Sequence, residues 1–283
     1  MRKIIFFVFL IASFNNLFSQ DYIPTKEDLL RFPKTKTFIV LEDNPLSEYN
    51  LDLKSVSPAE WKITPYDFIS IKEFDKKRLD PACSFIILSK VKFDKDKTNA
   101  TYTFMSLLLG GNAYSLSSMP DLCSLPLSYS GGGDEEYAYK VGIFLRFFQA
   151  HVKMLMDDPS LASVNILTHY NKNMADLKGK TLYLVAGELN KDVNTLSKIR
   201  KVYPGEVKLV TKDDIQQAIA DKKDVVFLHK VGPEGTNMKD RVYKILIGAA
   251  DARFYYFDYH KLTDDKPDAF LISDFKSLAK KIK

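Results

Sequence analysis

Apolar residues in this chain gather into short runs that recur at matching intervals. Lys36-Thr37-Phe38-Ile39-Val40-Leu41 reads like Lys180-Thr181-Leu182-Tyr183-Leu184-Val185. Each is a β-rich run of strand length. Phe85-Ile86-Ile87-Leu88-Ser89-Lys90-Val91 matches Val226-Phe227-Leu228-His229-Lys230-Val231, and Trp61-Lys62-Ile63 between them matches Val207-Lys208-Leu209. Helical patterns follow. Thr64-Pro65 opens a helix bearing Phe68, Ile71 and Phe74, and Thr211 caps one bearing Ile215, Ala218 and Ile219. Hairpins come next. Tyr102–Leu109 and Ala113–Ser118 flank Gly110-Gly111-Asn112, and Val242–Ile247 and Ala252–Tyr259 flank Gly248–Asp251. A helix then closes each copy, over about Asp134 to Met156 in the first and from near Ser273 in the second. Leu189, Val193, Leu196 and Ile199 predict a further helix in the second copy, whereas Leu46, Leu51, Leu53 and Val56 fit no single period.

The pattern predicts an α/β fold with mixed sheets, a tandem duplication of a βαβαββα unit. The boundaries expected are residues 20–158 for the first unit, 159–176 for a connector and 177–283 for the second. The long helix has apolar residues on most sides and one polar stripe of Glu135, Tyr139, Gly142, Arg146, Gln149 and Lys153. Such a helix must be covered on most sides, between the two halves or in a homodimer contact, with intrachain core as the favoured reading.

The start of the chain differs. Arg2 and Lys3 precede the apolar run Ile4–Ala12, and Ser19-Gln20 follows. This is the layout of a secretory signal peptide, with cleavage expected after Ser19. Cleavage removes one Arg and one Lys, so the formal charge falls from +5 to +3. The run is too short to span a bilayer, and Val141–Met156 carries Arg146, His151 and Lys153. The expected location is periplasmic or secreted, with no integral membrane segment after leader cleavage. Basic and acidic residues are interleaved, so no nucleic-acid partner is expected.

The Ser-Gln junction resembles that of exported Bacteroidota proteins. So do Lys-Val-Tyr-Pro and Val-Thr-Lys-Asp-Asp-Ile of the second half, which resemble uncharacterised members of that group. The order of elements in each half resembles the amino-terminal domain of TolB and related cell-envelope modules. These resemblances imply an envelope role and supply no catalytic residues.

Catalytic signatures are missing: there is no Gly-x-Ser-x-Gly, no Walker A loop and no His-Glu-x-x-His. His151, His169, His229 and His260 have no second ligand at metal spacing, so neither metal nor cofactor is expected. His229 reads as a packed or surface histidine. Gly131-Gly132-Gly133 is either a flexible linker or an anion-binding loop. Cys83 and Cys123 either pair as a disulfide or pack as separate thiols. On a regular strand, Tyr255, Phe257 and Tyr259 share one face and offer a platform for an envelope protein or a glycan. The leading expectation is therefore a non-catalytic exported module that binds or scaffolds a partner. The alternatives are a hydrolase with dispersed Asp and Glu residues, or a small-ligand receptor at the cleft between repeats.

Overall fold

The computed structural model describes residues 23–113, 115–233 and 239–282. The expected leader lies outside them. After a first helix α1 (Lys26–Arg31), the first half runs β1 (Lys36–Val40), α2 (Glu48–Glu60), β2 (Tyr66–Ile69), α3 (Ile71–Lys77), β3 (Cys83–Val91), β4 (Tyr102–Leu109), β5 (Asp121–Tyr129) and α4 (Val141–Asp157). Helix α5 (Ile166–Asn171) follows. The second half runs β6 (Thr181–Leu184), α6 (Leu196–Ile199), β7 (Glu206–Leu209), α7 (Lys212–Ala220), β8 (Val225–Val231), β9 (Arg241–Gly248), β10 (Phe254–Lys261) and α8 (Ile272–Ala279).

The strand orders are β2-β1-β3-β4-β5 and β7-β6-β8-β9-β10. The two sheets thus have one topology. In each, the first strand pairs in parallel with the second and third, and the last three strands form an antiparallel meander. The chain is an α/β protein of two like units. Each unit carries one strand more than the expected formula, because the third strand is followed by a full hairpin.

Several element positions differ from the sequence pattern. Trp61-Lys62-Ile63 is not a strand. The Trp61 amide donates to Ser57 O at the end of α2, and its indole donates to Thr64 Oγ1. The strand is Tyr66–Ile69, paired Thr37 to Tyr66. Ser70 and Glu73 form a capping box that starts α3 there and divides the apparent helix. The Gly110–Asn112 stretch is not a tight hairpin turn. The chain continues through a 3-10 turn at Leu116–Ser118, and β5 begins only at Asp121. A Cβ on Gly110 would lie 2.2 Å from Asp80 O, so this glycine serves close backbone approach. The helix expected from Leu189 shrinks to Leu196–Ile199. The unclear stretch after Leu46 is α2, which runs for 13 residues.

The long helix starts at Val141, after 3-10 turns at Asp134–Glu136 and Ala138–Lys140. It lies between the sheets. Phe144, Leu145 and Phe148 share one buried cluster with Ile39, Ile86, Leu107 and Leu125 of the first sheet and Phe227, Ile245 and Ile247 of the second. Phe147 stacks on Phe254 with ring centroids 3.7 Å apart. At roughly 2 kcal/mol per buried large side chain, this helix is a main source of cohesion between the units. Helix α3 covers the far face of the first sheet through Phe74, against Phe38 and Phe85. Helix α8 covers the far face of the second through Phe275 and Leu278, in one cluster with Leu184, Val226 and Leu228.

The expected connector is not a loose linker. Asn171 accepts from the Phe257 amide and donates to Phe257 O, and Asn173 donates to Phe254 O. These amides bond the edge of β10 that has no strand partner. Among the described residues, no helix is long and apolar enough to cross a membrane.

Candidate functional site

Gln149 and Arg146, in the polar stripe of α4, bond the backbone of neighbouring elements. Gln149 accepts from the Lys62 and Ile63 amides and donates to Glu60 O, which closes the end of α2. Arg146 reaches the other way. It donates to Ala249 O and Ala250 O at the β9–β10 turn and pairs with Glu60 at 3.2 Å. Lys140 and His229 are both buried. Lys140 Nζ lies 3.2 Å from His229 Nδ1, and His229 Nε2 lies 2.9 Å from Pro126 O. The carbonyl requires N–H on Nε2, so Nδ1 accepts from the lysine. Burial pulls Lys140 down to about 8, with Glu188 opposing the shift. Burial, then Lys140, pushes His229 well below its usual range. At the far end of the sheets Arg241 binds Asp96 and lies over the Phe93 ring at 3.7 Å. Tyr129 donates to Asp240 at 2.9 Å.

The aromatic row expected on β10 is not a platform. A bulge between Phe254 and Tyr256 breaks the alternation. Phe254 and Phe257 turn into the inter-sheet core, while Tyr255 and Tyr256 both turn under α8. Tyr255 is 1% exposed and Phe257 8%, which removes them from any docking face. Tyr259 is half-buried beneath the Arg241 guanidinium. Cys83 and Cys123 are free, buried thiols in separate clusters, Cys83 with α3 and Cys123 in the inter-sheet core. The glycine loop is filled by its own acids. A Cβ on Gly133 would lie 1.9 Å from Glu135 Oε2, and one on Gly132 would lie 2.9 Å from Glu136 Oε2. Carboxylates so placed repel an anion. Part of the turn at 232–235 lies outside the described residues.

A groove of about 780 Å³ runs along β5, the edge strand of the first sheet. One wall is the outer face of β3–β5, with Ser89, Phe104, Ser106, Leu108 and Ser124. The other is built by α4 (Phe147, His151, Leu155), the segment through α5 (Ala162, Val164, Tyr170) and β10 (Phe254, Phe257). Both units and the connector contribute, and much of the surface is apolar. A second bulge, between Leu107 and Leu108 on β4, turns both Leu122 and Cys123 inward on β5.

Part of the groove's polar lining is organised by hydrogen bonds. His151 Nδ1 lies 2.5 Å from Tyr170 Oη. Burial, with a smaller push from His169, lowers His151 to about 4, so the ring is neutral at pH 7. Burial raises the Cys123 thiol well above its usual range. On the opposite wall, Ser89, Ser106 and Ser124 form a ladder across three strands. Their Oγ separations are 3.4 and 2.7 Å, and Ser124 donates to Asp121 Oδ2 at 2.6 Å. No local motif marks these residues, because the ladder exists only through strand register. A smaller, polar cleft of about 470 Å³ between α2 and α7 holds Glu48, Asp52, Glu135 and Asp213 beside Lys212. Among the described residues, no cluster of His, Cys, Asp or Glu is arranged to hold a metal.

Taken together, fold and groove define a tandem α/β protein with a recess where its two units meet. Set against known protein families, curated proteins and solved structures, the chain matches none.

Proposed function

We propose that this chain is an exported, non-catalytic binding protein that takes a small, largely apolar molecule in the groove along β5. The groove carries the proposal. Its volume lies in the range of ligand pockets, and its walls combine aromatic and aliphatic side chains with a few grouped polar ones. Export rests on the leader-like residues 1–19. Binding is favoured over catalysis by the state of the groove's reactive groups. The Cys123 thiol stays protonated at neutral pH, and His151 is both a weak base and engaged by Tyr170. At the seam, Asp96, Glu60 and Asp240 face cations or a tyrosine, which disfavours the hydrolase alternative.

The test uses the mature protein and an apolar fluorescent probe such as N-phenylnaphthylamine. The protein should bind it saturably and enhance its emission. Ala162→Trp, at the half-exposed rim, should abolish this without changing the unfolding temperature. No saturable binding, or binding that survives Ala162→Trp unchanged, would overturn the proposal.

A further inference from the structure

The serine ladder has a direction. A hydroxyl has one proton to donate and two lone pairs to accept with. Ser124 gives its proton to Asp121, so in the Ser106–Ser124 pair Ser106 must be the donor. With that proton spent, Ser89 must donate in the longer contact to Ser106. All three protons therefore run toward the Asp121 carboxylate. What remains for the groove is lone pairs: two on Ser89 and one each on Ser106 and Ser124. Phe104 and Leu108 line the same wall.

A wall of this kind is matched by hydrogen-bond donors. A carboxylate head brings only acceptors and meets lone pair with lone pair. An ammonium head brings donors and also a charge. The Asp121 carboxylate already holds Ser124, so it gives an ammonium little to offset the cost of leaving water for a largely apolar groove. A neutral head with hydroxyls supplies donors and no charge. We infer that the groove takes an amphiphile with an uncharged, hydroxyl-bearing head, the head on the Ser89–Ser106–Ser124 ladder and the tail along the apolar walls. This inference rests on the groove being the binding site and names the chemical class it selects.

The experiment displaces N-phenylnaphthylamine from the mature protein with three amphiphiles of one chain length, below their micelle concentrations. These are dodecyl glucoside, laurate and dodecylamine. The glucoside should displace the probe at about tenfold lower concentration than either ionic compound, the equivalent of one or two hydrogen bonds. In Ser106→Ala the middle rung is gone. The glucoside should weaken about fivefold relative to laurate, whose carboxylate can accept the freed Ser89 proton. Saturable probe binding and an unchanged unfolding temperature show that the groove survives the substitution. Equal displacement by all three heads, tighter binding of laurate or dodecylamine, or an unaffected glucoside in Ser106→Ala would overturn the inference and leave the groove as a binding site. Failure of the probe to bind at all would overturn the groove proposal with it.

Discussion

Three buried bases carry much of the electrostatic cost of this fold. His151 falls from its ordinary 6.5 to about 4, His229 falls well below its ordinary range, and Lys140 falls from 10.5 to about 8. In each case burial is the main cause, because it disfavours the charged form. Between pH 6.5 and 4 the unfolded chain takes up protons that the folded histidines refuse. Stability should therefore fall as pH drops through that window. His151 alone contributes about 3 kcal/mol, at 1.36 kcal/mol per pKa unit. Lys140 acts in the same direction at higher pH. Below about 8 the fold carries a buried ammonium, so stability should rise between pH 8 and 10. Above 10 the buried tyrosines, whose pKa values burial raises, reverse the slope. Urea unfolding across pH 4 to 9.5 checks this, and His151→Gln should flatten part of the acid limb. A profile level from pH 6.5 to 4 would contradict it. His229 read from sequence as packed or exposed, and it is packed. Its bond to Lys140 was not readable, since nothing in the linear pattern brings residues 140 and 229 together.

Elements were readable where one period dominated. The strands at 36–41, 85–91, 102–109 and 226–231 lie close to where the apolar runs put them, and so does the long helix. The pattern failed where polar residues are buried. Helix α2 was obscured because Asn50 and Ser57 sit on its inner side, Asn50 holding Glu42 O and Asn44 O. It failed again at Tyr255, where one inserted residue in β10 changed which faces the aromatics occupy. The serine ladder was invisible for a related reason: its rungs lie on three strands whose register the sequence does not state. The connector gives a measurable case. Asn171 bonds both backbone groups of Phe257, taking the place of a neighbouring strand. Asn171→Ala should leave that edge open, at a cost of about 1–2 kcal/mol. Hydrogen exchange should show the Phe257 amide losing protection while amides of β8 and β9 keep theirs. Equal loss across the whole sheet would mean that the connector is not a local edge cover.

The repeat suggests two domains, yet the packing makes one. Two like sheets enclose a single helix, and one cluster of buried side chains draws on both sheets and α4. The inner face of the second sheet, with Phe227, Ile245, Ile247, Phe254 and Phe257, has α4 as its cover. Arg241 and Tyr102 add a polar lock at one end, since Tyr102 Oη accepts from the Arg241 amide at 2.6 Å and donates to Arg241 O at 3.1 Å. A second unit alone would expose five large apolar side chains on one face, forfeiting on the order of 10 kcal/mol of burial. That is comparable with the whole stability of an ordinary domain. The prediction is a single cooperative unfolding transition for residues 20–283, with one value from near-UV circular dichroism and from calorimetry. Residues 177–283 expressed alone should bind a hydrophobic dye strongly and lack near-UV structure. Extending that fragment back to residue 134 restores α4 but leaves its other flank bare, so it should gain helix without gaining a cooperative transition. If residues 177–283 melt cooperatively by themselves, the long helix covers a unit that was already stable, and the groove between the units becomes an interface between two independent domains.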